Sequence, residues 1–371
     1  MNSTTTVHRA PPITYPPADV FASPGPIVSV YLNTNGAVPG AAEQVALRWK
    51  NLRRRLLDDD VAPAAALDVI EPLTVRAHAF GPALVAIAGT GGLLYSTHLP
   101  ESRDDDLAVV GPLPHLVPLL AVAQRLLPYI VVVTDRLGAE FFVVRPDATD
   151  LRTEVEGEEK HVTRSAPGGW SQRRFQQRAE NRWEANARGV ADALTRLADT
   201  HSPRLVVVSG DVRAVQFLRD HLPSRVTDLL TEIQGEYRDI DEALRLAEQI
   251  VAARADADAE EALAAHAREL GQDDLATAGP AATLDALVRG QVDTLLLDPT
   301  RTTGQTAWFG PDVTQVAATA RALRSAGVAD PQQAQLVDVA IRAALGTAAG
   351  VRITLPGAGG IAPSGIGALL R

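Results

Sequence analysis

Gly168-Gly169-Trp170-Ser171-Gln172-Arg173-Arg174-Phe175-Gln176-Gln177-Arg178 is the run best equipped to act on another molecule. Two adjacent glycines let a backbone approach where a side chain would collide, and the arginines behind them supply phosphate-seeking charge. From Lys160 to Arg188, seven cations (Lys160, Arg164, Arg173, Arg174, Arg178, Arg182 and Arg188) face only Glu180 and Glu184, a local excess of +5 in a chain of formal net charge −10. The acidic total argues against indiscriminate coating of nucleic acid, so the basic run reads as a local contact surface.

Other residues of suitable type lack suitable spacing. The eight histidines show no H-E-x-x-H or comparable ligand pattern, and a chain without cysteine has no disulfide, thiolate metal site or thiol nucleophile. Ser209-Gly210-Asp211 follows an apolar run but lacks both G-x-S-x-G and the Walker lysine, which leaves a strand-to-helix turn with Asp211 as cap. Gly357-Ala358-Gly359-Gly360-Ile361-Ala362 superficially resembles a dinucleotide fingerprint, yet only 9 residues follow Ala362, too few for the rest of that unit. It reads as a mobile loop. Asp135 and Glu140 flank a hairpin turn and fit either surface turn chemistry or part of a nuclease's carboxylate cluster; no second carboxylate pair supports the latter. From the residues, then, no catalytic group, metal or cofactor is expected.

The elements that must position the basic run follow from periodicity. A length of 371 residues with 46% apolar content supports two or three domains. Even the apolar stretch from Leu116 to Val133 is broken by Gln124, Arg125 and Pro128, so no membrane segment is expected and the chain reads as cytoplasmic. Ile27 to Leu32 is strand-like, a helix is expected through Val45, Trp49, Leu52 and Leu56, and the glycines at 89 and 91–92 join a hairpin of Ala83–Ala88 and Leu93–Thr97. Arg53-Arg54-Arg55 lies on the polar side of that helix, a solvated face. Ile130–Thr134 and Ala139–Val144 form a second hairpin, and an acidic stretch leads to a Gly-Gly loop tip. Beyond it Phe175, Ala179, Trp183, Ala187 and Val190 make one helical stripe, with Arg174, Arg178 and Arg182 at i, i+4, i+8 on a neighbouring face. Leu205–Val208 reads as a buried strand. A long helix from Asp241 to about Leu270 then connects to helix at Thr283–Val288, strand at Gln291–Leu297, helix at Gln333–Leu345 and strand at Val351–Leu355.

Gly-Gly-x-Ser-x-x-Arg-Phe-x-x-x-Arg, at Gly168, Gly169, Ser171, Arg174, Phe175 and Arg178, resembles the central-domain signature of archaeal and eukaryotic class-1 peptide release factors, where the tip reads Gly-Gly-Gln. The run Gly290-Gln291-Val292-Asp293-Thr294-Leu295-Leu296 is similar to the C-terminal domain that release factors share with Pelota. The closing Gly365–Arg371 run resembles the terminus of bacterial relatives, including the Balon type of ribosome hibernation factor of actinobacteria. The resemblance implies an α/β, three-domain release-factor-like architecture: an N-terminal α/β domain over 1–127, an RNase H-like central domain over 128–238, and a ribosomal-protein-like α/β/α domain over 239–371.

Two departures shape the function it implies. Trp170 stands where the family's glutamine positions water against the peptidyl-tRNA ester, and an indole offers one N–H donor and no acceptor. The N-terminal block also has no Thr-Ala-Ser-Asn-Ile-Lys-Ser type loop for stop-codon reading. The expectation is therefore a non-catalytic, stress-associated factor that enters the A site of the 70S ribosome and causes hibernation. Gly168, Gly169, Trp170, Ser171, Arg173, Arg174, Arg178 and Arg182 would contact large-subunit rRNA at the peptidyl-transferase centre, with elongation factor Tu as a partner. Peptidyl-tRNA hydrolysis in release or rescue, and an RNase H-like nuclease, are the alternatives.

Overall fold

The computed structural model describes the chain except residues 1–3, 8–12, 14–15, 37–38, 59–61, 157–168, 234–239, 273–274, 355–360 and 362–363; within described elements the side chains of 4–7, 18, 156 and 169–182 are also left out. Gly357–Ala362 therefore lies outside the described residues apart from Ile361. The chain divides into two compact units, residues 1–12 with 126–255 and residues 13–125 with 256–371.

The chain opens with β1 (Thr4–Val7), which belongs to the first unit, and then enters the second. There β2 (Ile27–Asn33), β3 (Ala83–Gly89), β4 (Gly92–Leu99) and β5 (Leu107–Gly111) form an antiparallel sheet in the order β4-β3-β2-β5. The amphipathic α1 (Ala41–Asp58) buries Val45, Trp49 and Leu52 against Val28, Val30 and Leu84, and α2 (Ala64–Thr74) adds Leu67 and Ile70 to the same core. Arg53 is tied to Asp68 at 2.7 Å and lies 3.6 Å from Glu71, whereas Arg54 and Arg55 are exposed, as a solvated face requires. The broken apolar stretch resolves into a short helix, α3 (Val117–Ala123), that stops at Gln124.

In the first unit, β6 (Tyr129–Thr134), β7 (Gly138–Val144) and β8 (Asp150–Glu156) make an antiparallel meander, and β1 pairs with the outer edge of β8. The long α4 (Gly169–His201) crosses back to β9 (Leu205–Gly210), which lies parallel to β6; α5 (Val212–His221) and α6 (Ser224–Thr227) lead to β10 (Leu230–Glu232), parallel to β9. The resulting order, β1-β8-β7-β6-β9-β10, joins an antiparallel meander to a parallel crossover. Strand alternation sends Ile130, Val132 and Phe141 toward α4 and α5, and Val131, Phe142 and Val207 toward α7 (Ile240–Gln272) on the opposite face. Residues of α7 up to Ala255 belong to this unit.

The remainder of α7 returns to the second unit, followed by β11 (Ala276–Ala278), α8 (Pro280–Val288), β12 (Val292–Leu297), β13 (Thr306–Phe309), β14 (Val316–Ala317), α9 (Ala320–Ser325), β15 (Gln332–Gln335), α10 (Leu336–Gly346), β16 (Gly350–Ile353) and β17 (Ile366–Leu370). A mixed sheet in the order β11-β17-β12-β16 carries Leu296 packed against Leu263 of α7 on one side, while α8 and α10 also pack on the sheet. Beside it lies a small sheet, β14-β13-β15. One expectation fails here. Gln333–Gln335, read as the start of a helix, is strand: β15 pairs antiparallel with β13, and the helix begins only at Leu336. The Gln-Gln-Ala-Gln run has adequate helix propensity, but the ladder with Thr306–Phe309 overrides that weak preference.

Candidate functional site

Gly168 lies outside the described residues, and Gly169 and Trp170 open α4 rather than ending a loop. The extent of the expected loop tip is thus corrected. A helix nucleated by a long downstream segment propagates cooperatively toward its N-terminus, and glycine is tolerated there because the first N–H groups have no intrahelical partner. Ser171, Arg173, Arg174, Arg178 and Arg182 all follow on this one helix of 33 residues. One element therefore carries every candidate residue from 169 onward.

That element is held at its far end. Ala187, Val190, Ala191, Ala193, Leu194 and Ala198 are buried in the core formed with β6, β7 and β9, which makes the downstream half of the expected apolar stripe a packing face. At about 1.5 Å per residue, Gly169 stands about 27 Å along the helix axis from Ala187. Its first four backbone N–H groups have no partner within the helix, and the helix dipole favours negative charge at that end.

The weaker candidates take on structural work. The Asp135 carboxylate accepts from the amides of Leu137 and Gly138 at 2.7 and 2.9 Å and so closes the β6–β7 turn. Glu140 is ion-paired to Arg152 on the neighbouring strand. Among the described residues no three His, Asp or Glu side chains cluster closely enough to hold a metal ion. Ser209 is buried within β9, and Asp211 caps α5 by accepting from the amides of Arg213 and Ala214 at 3.0 and 3.2 Å. Burial raises the Asp211 pKa, but these amide bonds and the Arg136 guanidinium outweigh it and hold the carboxyl below the usual range.

Contacts between distant residues escaped the sequence reading. Arg136, in the turn that Asp135 closes, reaches Trp183 and Asp211. In the second unit, His115 Nδ1 lies 2.9 Å from Asp338 Oδ1, and the Gln124 side chain makes two hydrogen bonds with the backbone of Ile353. Local spacing carries no signal for any of these pairs. Among the described residues no helix is long and apolar enough to cross a membrane.

Residues 128–272 match the model of bacterial archaeo-eukaryotic release factor family 2. The uncharacterized protein Rv2629 of Mycobacterium tuberculosis is 28% identical over 285 residues, covering 75% of this chain and 76% of that protein. Among solved structures, the archaeal translation termination factor aRF1 is 16% identical with a TM-score of 0.24, covering 93% of this chain and 92% of its own. Saccharomyces cerevisiae Dom34, a translation termination-like factor, is 11% identical with a TM-score of 0.37, covering 78% and 80%. Ribosome-bound archaeal Pelota is 13% identical with a TM-score of 0.40, covering 97% and 95%. The segment 128–272, which contains α4 and the whole meander, is thus similar to bacterial archaeo-eukaryotic release factor family 2.

Proposed function

We propose that the protein is a ribosome-associated translation factor that occupies the A site and lays Gly168, Gly169 and Trp170 near the peptidyl-transferase centre, holding the ribosome idle. The observation that carries this reading is Trp170 itself, which stands at the release-factor glutamine position in the first turn of a helix buried from Ala187 onward. A glutamine there both donates to and accepts from a water; an indole donates once and otherwise offers a stacking face. Stacking on an rRNA base contributes about 1–3 kcal/mol by analogy with single-stranded recognition. Arg173, Arg174, Arg178 and Arg182 supply phosphate contacts, Ser171 a hydroxyl, and the first-turn amides of α4, which have no partner within the helix, further donors. The factor would act in the cytoplasm as part of a stress response, with elongation factor Tu as the delivery partner.

Vacant 70S ribosomes should co-sediment with the protein at low salt, and replacing Arg174 and Arg178 with Ala should weaken binding and flatten its salt dependence by roughly one to two phosphate contacts. On ribosomes loaded with peptidyl-tRNA the wild type should release no peptide above background. Robust release that Trp170→Gln fails to increase would instead assign peptidyl-tRNA hydrolysis, the reading the family's name favours. No co-sedimentation at low salt would remove the ribosome from the account.

A further inference from the structure

Arg136 joins three elements just upstream of the buried stretch Ala187–Ala198 of α4. Its guanidinium lies 4.5 Å from the centroid of the Trp183 ring, and its Nε and a terminal nitrogen reach Asp211 Oδ2 at 3.2 and 3.1 Å. Its backbone carbonyl accepts from the Asn186 side chain at 3.0 Å. Trp183 and Asn186 stand three residues apart on α4, so the β6–β7 turn grips that helix twice on one face. The turn cannot easily yield, since the Asp135 carboxylate pins the amides of Leu137 and Gly138. Asp211 cannot easily yield either, because its other oxygen caps α5.

The core does not need this arrangement. Arg136 is 45% exposed, and the helix from Ala187 to Ala198 is seated by a core of apolar side chains. What it does constrain is direction. From Trp183 to Gly169 the helix runs about 21 Å, so a tilt of roughly 10° at Trp183 would carry Gly169 about 4 Å sideways. A planar guanidinium suits the task because it stacks on an indole with its face while its edge engages a carboxylate; an ammonium engages only the carboxylate.

We infer that Arg136 is a positioning residue that sets the direction in which α4 presents Gly169 and Trp170. Its consequence for ribosome binding rests on the function proposed above; its consequence for the helix does not. The full-length protein carrying Arg136→Ala, Arg136→Lys or Trp183→Leu should be compared with the wild type by amide hydrogen exchange, thermal melting and co-sedimentation with vacant 70S ribosomes. Arg136→Ala and Trp183→Leu should speed exchange across 169–186 by about tenfold, with 190–198 and the melting temperature unchanged, and weaken ribosome binding severalfold. Arg136→Lys should restore only part of the protection.

Unchanged exchange across 169–186 would overturn the inference. So would a uniform rise along all of α4 with a lowered melting temperature, which marks Arg136 as merely structural. Full rescue by lysine would show that the Asp211 pair suffices and overturn the role assigned to stacking. If the wild type fails to bind ribosomes while the exchange pattern holds, the proposed function falls and the positioning role stands.

Discussion

At the scale of single residues, Asp211 shows how one carboxylate can serve two elements. One oxygen accepts the first free amides of α5 and the other holds Arg136. Because its folded pKa is depressed, its contribution to stability is fully present above the unfolded value of 3.8 and is lost as pH falls through the lower folded value. Asp211→Ala should therefore cost about 1 kcal/mol at pH 7 and progressively less below pH 4, measured by urea unfolding at both conditions. Its neighbour Gly210 has a stricter requirement: φ is +135°, and an added Cβ would sit 1.8 Å from the Thr134 carbonyl oxygen across the β6–β9 ladder. Gly210→Ala should cost roughly 3 kcal/mol or more, visible as a large drop in melting temperature. The cap at Asp211 was legible because it acts on the next three residues. The ion pair with Arg136 was not, because the partners stand 75 positions apart and chain spacing carries no trace of such a meeting.

At the scale of elements, α4 packs through its half from Ala187 onward. Leu194 is fully buried, whereas Asp192 on the same stretch is exposed. Leu194→Ala should lower stability by about 2–5 kcal/mol, and Asp192→Ala should stay within about 0.5 kcal/mol, as read by denaturant titration. The stripe from Trp183 to Val190 announced the packing face through its 3.6-residue period, as did the hairpins at Ala83–Thr97 and Ile130–Val144 through their turn glycines. Short elements left weaker marks. β14 has two residues and β15 four, so their partners rather than their own patterns decide them, and the latter was misread as helix. Gly169 and Trp170 were misplaced for a related reason, since a helix end is set by propagation from downstream as much as by the glycine that occupies it.

At the scale of the molecule, the second unit is assembled from two separated lengths of chain. Gln124, just past α3, donates to the Ile353 carbonyl at 2.6 Å and accepts from its amide at 2.9 Å. Ile353 ends β16, the outer strand of its sheet, so the side-chain amide satisfies an edge that another strand would otherwise pair. His115 adds a second tie to Asp338, with its own amide donating to Ser29 Oγ at 3.0 Å and its carbonyl accepting from the Tyr31 hydroxyl at 2.7 Å. Gln124→Ala strands both backbone groups of Ile353 and should cost about 1–3 kcal/mol, with 13–125 showing faster amide exchange than in the wild type. No periodicity in either length foretold that residues 229 positions apart would share hydrogen bonds. The alternation of helices and strands made the mixed α/β class readable; the stitching between its parts lay in individual polar side chains.

That stitching imposes an order on biosynthesis. Residues 13–125 leave the ribosome early and hold their own four-stranded sheet and apolar core, so they can fold locally at once. His115 and Gln124 then wait, for Asp338 and Ile353 are made more than 200 residues later. During that interval residues 126–255, the rest of the first unit after its opening residues 1–12, are synthesised, and their basic helix emerges before the second unit can close. A nascent chain stalled before residue 336 would present α4 on a half-assembled protein, at the mouth of the same particle it is proposed to silence.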